Sequence, residues 1–133
     1  MLRALLARYA DRDPRALDFV FGPHGKPSLH EGTTSVTDLR FNLSHSGRFA
    51  LVAVTAGRDV GVDIECANER HTVEFLRAWT AREATVKCGG TGLAGAVGSS
   101  KDGLWMSELD VGPDAIATVA VEGEPCDLHC YLW

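Results

Sequence analysis

The sequence has little that would mark a membrane, nucleic-acid-binding or secreted protein. Among its 133 residues no apolar run approaches the ~20 needed to span a bilayer. Positive charge is not in excess: 13 Lys and Arg stand against 18 Asp and Glu, a formal net charge of -5. A general nucleic-acid or anionic-membrane binder would be basic. The opening MLRALLARYADRD has neither a continuous apolar core nor a small-residue cleavage site, so it does not read as a signal peptide. Cysteine is sparse and scattered. Of Cys66, Cys88, Cys126 and Cys130 only the last two are close, and CxxxC is a poor metal spacing. Without a secretory signal they read as free cytosolic thiols, ahead of a disulfide or a structural zinc site. There is no G-x-S-x-G turn, no internal repeat, and no low-complexity tract beyond the glycine stretch CGGTGLAGAVGSS. What remains, 45% hydrophobic and 23% charged, is the composition of one soluble domain with a modest core.

Periodicity places the elements. Leu2, Leu5, Leu6 and Tyr9 recur at helical spacing and predict an amphipathic helix ending before Pro14. Arg3, Arg8, Arg12 and Arg15 lie on or near it, as a solvated face or a local basic patch. Phe21 to Ser35 is rich in Gly, Pro and Ser and reads as a loop. Leu39, Phe41 and Leu43 alternate with polar residues, Phe49 to Thr55 is apolar, and Val60 to Glu65 alternates again. With HSGR and AGRD as turns, these predict a three-stranded antiparallel meander. His71 to Lys87 predicts the main helix, its inner face made of Val73, Leu76 and Trp79 with Phe75 and Val86, and the glycine stretch stops it. GLWMSELD and AIATVAVEG predict a last hairpin, and CDLHCYLW a closing strand.

The stretch VGVDIEC raises the chemical question. Val60, Val62 and Ile64 point one way, so Asp63 and Glu65 point the other, about 7 Å apart by the usual rise of ~3.3 Å per residue. Two such carboxylates repel unless the face is wet or something positive lies between them. Glu83 and Lys87 are four apart and share a helix face. If that face covers the strand end, Asp63, Glu65 and Glu83 converge. Three oxygen ligands without His or Cys suit a hard cation, Mg²⁺ or Mn²⁺, which keeps waters and takes substrate phosphate oxygens. Lys87 could then meet the same phosphate. The plain alternative is a wet strand face and a surface Glu–Lys pair. GKP places Lys26 in a stiff loop, and FNLSHSG ends a strand with Ser44, His45 and Ser46, hydroxyls, imidazole and turn amides that can cradle an anion. A Ser–His–Asp triad fits poorly, since Ser44 and His45 are neighbours in sequence.

GKP, FNLSHSG, GVDIE and WTAREATVK, in that order, resemble the signature motifs of the 4′-phosphopantetheinyl transferase superfamily, most nearly the Sfp-type enzymes. The resemblance covers most of the chain, loosely at LRALLARY and at GLWMSELDVGPDAIATVAV. It implies an α+β fold, a pseudo-two-fold pair of subdomains each with an antiparallel sheet on a long helix. Residues 1–59 would form the first, incomplete, half and 60–133 the half carrying the metal. It implies a cytoplasmic monomer that moves the 4′-phosphopantetheine arm of coenzyme A to a serine of an apo acyl or peptidyl carrier protein. The reaction would use Mg²⁺ (or Mn²⁺), release 3′,5′-ADP, and serve fatty-acid, polyketide or nonribosomal-peptide synthesis. By resemblance Asp63, Glu65 and Glu83 would hold the metal, Lys87 would contact the pyrophosphate, and Lys26, Ser44 and His45 would grip the 3′-phosphate. Pro27 and Asn42 would belong to the same coenzyme-binding set, and Glu83 or a metal-bound water would be the base.

Three departures stand out. Arg82 replaces the usual lysine before the glutamate, the link from Glu65 to Trp79 is short, and little precedes the first helix. CANERH offers no evident tight turn, so the expectation is that further residues belong at both places. The rival functions are a non-catalytic coenzyme A- or carrier-binding module and a metal-dependent phosphohydrolase.

Overall fold

The computed structural model of the protein describes residues 1–30, 38–89 and 103–132. Residues 31–35 of the expected loop, the glycine stretch from residue 90 to 100, and Trp133 lie outside the described residues. The fold is α+β, with small antiparallel sheets and two α-helices among the described residues.

Helix α1 (Leu2–Ala10) matches the expected helix and stops at Asp11, which turns left-handed (φ 49°) while its amide reaches back to the Ala7 carbonyl. Its buried face is Leu6, Ala7 and Ala10, whereas Tyr9 is exposed. Asp13 then accepts the Arg15 amide at 2.7 Å and starts a single 3₁₀ turn at Pro14–Ala16. Arg3 is exposed, as a solvated face would have it, but its guanidinium is engaged. It donates to the Pro14 and Leu17 carbonyls and lies over the Phe19 ring.

The predicted loop contains a short hairpin instead. β1 (Phe19–Phe21) pairs with β2 (Pro27–Leu29) across a turn in which Gly25 (φ 77°) supplies the left-handed conformation. β3 (Leu39–Ser46) and β4 (Phe49–Ala56) form a hairpin closed at Gly47 and Arg48. Leu6, Ala7, Ala10, Leu17 and Phe41 close one core between these elements.

The expected meander does not form. β5 (Val60–Cys66) pairs with β7 (Ala115–Glu122), not with β4, in a sheet ordered β5-β7-β6, where β6 is Leu104–Leu109. The reason lies in the polar half of β3's alternation. Asn42, Ser44 and Ser46 accept the β5 amides of Val62, Ile64 and Cys66 at 2.9, 3.3 and 3.1 Å. Each pair is separated by 20 residues, so β3 and β5 run parallel, joined by side-chain rungs instead of a backbone ladder. The apolar face of β5 is as the alternation predicts. Val60 and Val62 pack with Val119 and Val121, and Ile64 with Ala115 and Ala117.

Helix α2 (Val73–Gly89) lies over the opposite face of this sheet, starting two residues later than predicted. The short link before it is built after all. Asn68 Oδ1 accepts the amides of Arg70 and His71 at 2.9 and 3.1 Å, and Thr72 Oγ1 caps the helix by accepting the Phe75 amide at 3.2 Å. Of the predicted inner face only Leu76 is fully buried. The stripe is Leu76, Thr80, Ala84 and Cys88, while Val73, Phe75 and Trp79 are 44, 47 and 37% exposed. The sheet dictates this. Thr80 Oγ1 meets Thr118 Oγ1 at 2.9 Å, and a Cβ on Gly61 would stand 2.1 Å from the Ala84 carbonyl oxygen and 2.3 Å from the Cys88 amide nitrogen. Only small residues permit so close a crossing.

The closing strand is also absent from the described residues. Cys126 packs on the valine cluster, but 124–132 pair with no strand, and Leu128, Tyr131 and Leu132 are exposed.

Candidate functional site

The rungs between β3 and β5 do more than join strands. Ser44 Oγ accepts the Ile64 amide and donates to Asp63 Oδ1 at 3.0 Å. One rung along, Ser46 Oγ accepts the Cys66 amide and donates to Glu65 Oε2 at 3.1 Å. Each serine thus fixes a β5 amide and the neighbouring β5 carboxylate together. From above, α2 brings Lys87, whose Nζ stands 2.6 Å from Asp63 Oδ1 and 3.2 Å from Ser44 Oγ. Of the two strand carboxylates, Asp63 is thus met by the Lys87 ammonium and Glu65 by the Ser46 hydroxyl. Asp63 is almost fully buried and Lys87 only part-buried. In such a pair, removing one partner leaves an uncompensated buried charge, at a cost of roughly 3–5 kcal/mol.

Leu43, Ser44, His45, Asp63, Glu65, Trp79, Glu83 and Lys87 line one open cleft of about 360 Å³. Trp79, Glu83 and Lys87 are successive members of one α2 row at spacing four, so the helix delivers an indole, a carboxylate and an ammonium in line. His45 is exposed at the rim. Two carboxylate oxygens in this cleft, Asp63 Oδ2 and Glu83 Oε1, are buried without a hydrogen-bond partner.

The predicted coenzyme set divides. Ser44 and His45 reach the cleft; Lys26, Pro27 and Asn42 do not line it. Asn42 is buried and spends its Oδ1 on the Val62 amide. Pro27 opens β2 opposite Phe21. Lys26 Nζ donates to the carbonyls of Val60, Lys87 and Cys88 at 3.3, 2.7 and 3.1 Å, tying the start of β5 to the end of α2. A cation at the carbonyl end of a helix suits the helix dipole. Burial pushes the Lys26 pKa down, partly offset by Asp59. Nearby, burial pushes the Cys88 thiol up to about 11. Trp79 and Leu43 were not singled out as site residues from the sequence. For Trp79 the signal was present in its spacing of four from Glu83.

The predicted metal ligands Asp63, Glu65 and Glu83 all border the cleft, but no three metal-ligating side chains are gathered closely enough to hold an ion among the described residues. Their chemistry still fits a hard cation: the donors are all carboxylate oxygens, and two of those oxygens are buried and unpartnered. In the structure Asp63 Oδ1 is taken by Lys87 and Glu65 Oε2 by Ser46.

No family model matches the chain. Curated proteins do. A Synechocystis sp. protein provisionally named 4′-phosphopantetheinyl transferase is 30% identical over 122 aligned residues, covering 72% of this chain and 49% of the relative. The 4′-phosphopantetheinyl transferase HetI of Nostoc sp. is 30% identical over 120, covering 71% and 50%. The similarity is to 4′-phosphopantetheinyl transferases. A 4′-phosphopantetheinyl transferase of Bacillus subtilis, 25% identical over 118 residues and covering 71% and 50%, agrees. The chain spans about half the length of the superfamily members it matches. No helix among the described residues is long and apolar enough to cross a membrane.

Proposed function

We propose that this chain transfers the 4′-phosphopantetheine arm of coenzyme A to a serine hydroxyl of an apo acyl or peptidyl carrier protein, with Mg²⁺ (or Mn²⁺), releasing 3′,5′-ADP. The observation that carries the proposal is the convergence of β3, β5 and α2 side chains on one cleft: Ser44 and His45, Asp63 and Glu65, Glu83 and Lys87. Similarity to transferases named for this reaction supports it.

Attack on phosphorus needs alignment and charge neutralisation more than covalent help. In this reading His45 and Ser44 meet the 3′-phosphate, and Lys87 meets the pyrophosphate. The carrier serine Oγ bonds to the phosphorus that bears the pantetheine arm. The bond from that phosphorus to the bridging oxygen breaks, and its electron pair leaves with 3′,5′-ADP. The serine proton passes to Glu83, whose Oε1 is otherwise unpartnered. The metal, held by Asp63, Glu65 and Glu83, would neutralise charge building on the pyrophosphate.

The finer reading is an Sfp-type, monomeric, cytoplasmic protein of two pseudo-symmetric halves, 1–59 and 60–133, serving fatty-acid, polyketide or nonribosomal-peptide carriers. In its support, α1 packs with the β3–β4 hairpin and α2 with the β5-β7-β6 sheet, so each half pairs a helix with antiparallel strands. The deciding experiment is intact-mass spectrometry of an apo carrier protein incubated with this protein, coenzyme A and Mg²⁺. A gain of one phosphopantetheine, abolished by EDTA, is expected. No gain across several carriers, with the protein folded, would overturn the transferase reading in favour of a coenzyme-binding module.

A further inference from the structure

We infer that Lys26 is a positioning residue: its ammonium holds the last turn of α2 in register on β5, and so fixes where Lys87 stands in the cleft. The inference rests on the transferase reading, in which Lys87 meets the pyrophosphate. Helix α2 ends at Gly89, so the carbonyls of Lys87 and Cys88 are among its last four, which find no partner within the helix. Lys26 supplies that partner from a distant part of the chain. Its Nζ donates to the Lys87 and Cys88 carbonyls at 2.7 and 3.1 Å, and to the Val60 carbonyl at 3.3 Å. Val60 opens β5, so one ammonium bridges the helix end to the strand that carries Asp63 and Glu65.

The root of the side chain is fixed as well. Lys26 stands just before β2, its carbonyl accepts the Gly22 amide at 3.0 Å, and Gly25 beside it is left-handed. A lysine ammonium has three donors and no acceptor. Here three carbonyls take them, which leaves none for a phosphate, and Lys26 does not line the cleft. Its shortest bond is to Lys87, whose own Nζ lies 2.6 Å from Asp63 Oδ1. Lys87 is thus held at both ends, by Lys26 at its carbonyl and by Asp63 at its ammonium. Packing at Gly61 sets how closely α2 approaches β5, and the directional bonds from Lys26 set its register along the strand. Without them Lys87 drifts from its place, and a misplacement of ~1 Å can cost about 10²-fold in rate.

The test begins with nuclear magnetic resonance of the lysine Nζ groups in the unaltered protein. The chain has three lysines, Lys26, Lys87 and Lys101, so the signals are few. The Lys26 ammonium should exchange its protons slowly, and coenzyme A should move its signal less than that of Lys87. Fast exchange at Lys26, or a larger shift there than at Lys87, would overturn the inference, whether or not any variant folds. In Lys26→Met, which keeps the stem and removes the donors, the Lys87 signal should shift and its protons exchange faster, and an unchanged Lys87 would also overturn it. Kinetics then separate positioning from contact. Lys26→Met should lower kcat about tenfold or more, by the same factor with coenzyme A and with dephospho-coenzyme A. In a Lys87→Gln background it should lower kcat little further, because the two act through one group. A loss confined to coenzyme A, or a full further loss in the Lys87→Gln background, would place the role of Lys26 elsewhere. A Lys87 signal that moves in Lys26→Met, in a protein that transfers nothing to any carrier, would sink the transferase reading and leave this inference intact. Transfer with kcat untouched by Lys26→Met would do the reverse.

Discussion

Ser44 ties three things at once: the Ile64 amide, the Asp63 carboxylate and the Lys87 ammonium. Ser44→Ala leaves a buried amide and part of a buried ion pair unsatisfied. We expect a loss of about 1–3 kcal/mol in urea unfolding, together with reduced transfer. Asp63→Ala is harsher. Transfer should fall by about 10²-fold or more, the scale of removing one preorganised charge partner at a reacting centre, and near-normal transfer would refute the metal assignment. His45 stands apart at the rim, so His45→Ala should raise the KM for coenzyme A while leaving dephospho-coenzyme A little changed. An equal effect on both would move His45 away from the 3′-phosphate. The spacing of Glu83 and Lys87, and the alternation that turns Asp63 and Glu65 to one side, were legible because short-range geometry fixes them. The seat of Lys87 on Asp63 and the three carbonyls around Lys26 were not. Both are contacts between residues distant in the chain, and nothing in a local pattern distinguishes them from contacts with a phosphate.

At the scale of elements, the crossing of α2 over β5 controls the site. Gly61→Ala would place a methyl against backbone at 2.1 Å, which no side-chain rotation relieves, so α2 must shift. Overpacking of this kind costs about 1–3 kcal/mol or more, and displacement of Glu83 and Lys87 should lower transfer beyond the fall in stability. Urea midpoints and initial rates on the same sample test this. Cys88 lies in the same crossing. Its thiol, ordinarily near 9.0, is raised by burial to about 11. The unfolded chain therefore releases this proton before the folded one. The stability the neutral thiol contributes is full below pH 9.0 and is lost as pH rises through about 11. Measured against Cys88→Ala, the advantage of the unaltered protein should shrink across that window, and a constant difference would contradict it. The two helices and the strands β3 to β7 were readable from the sequence; the β1–β2 hairpin and the facing of α2 were not. An apolar stripe through Val73, Phe75 and Trp79 looked like the inner face because hydrophobicity ranks large residues first. The sheet offers Gly61, Thr118 and Ala120, and shape chose Thr80, Ala84 and Cys88 instead.

For the whole molecule, the joint between β3 and β5 depends on side chains. A meander was the natural reading of three strands separated by short turns. It failed because Asn42, Ser44 and Ser46 already hold β5 beside β3, leaving β7 to take the backbone ladder. Asn42→Ala removes the acceptor of the buried Val62 amide without touching the cleft. Hydrogen exchange should then speed up along β5 while the β3–β4 hairpin stays protected, and an unchanged β5 would show that the joint is held elsewhere. The constant separation of 20 residues between the partners of each rung has a consequence for insertions and deletions. Length added in the turn between β4 and β5 changes the count but not which serine meets which carboxylate. A single residue gained or lost within β3 itself turns every following side chain to the other face. The phase of β3 is therefore locked, and a library of one-residue deletions should divide sharply at the ends of that strand.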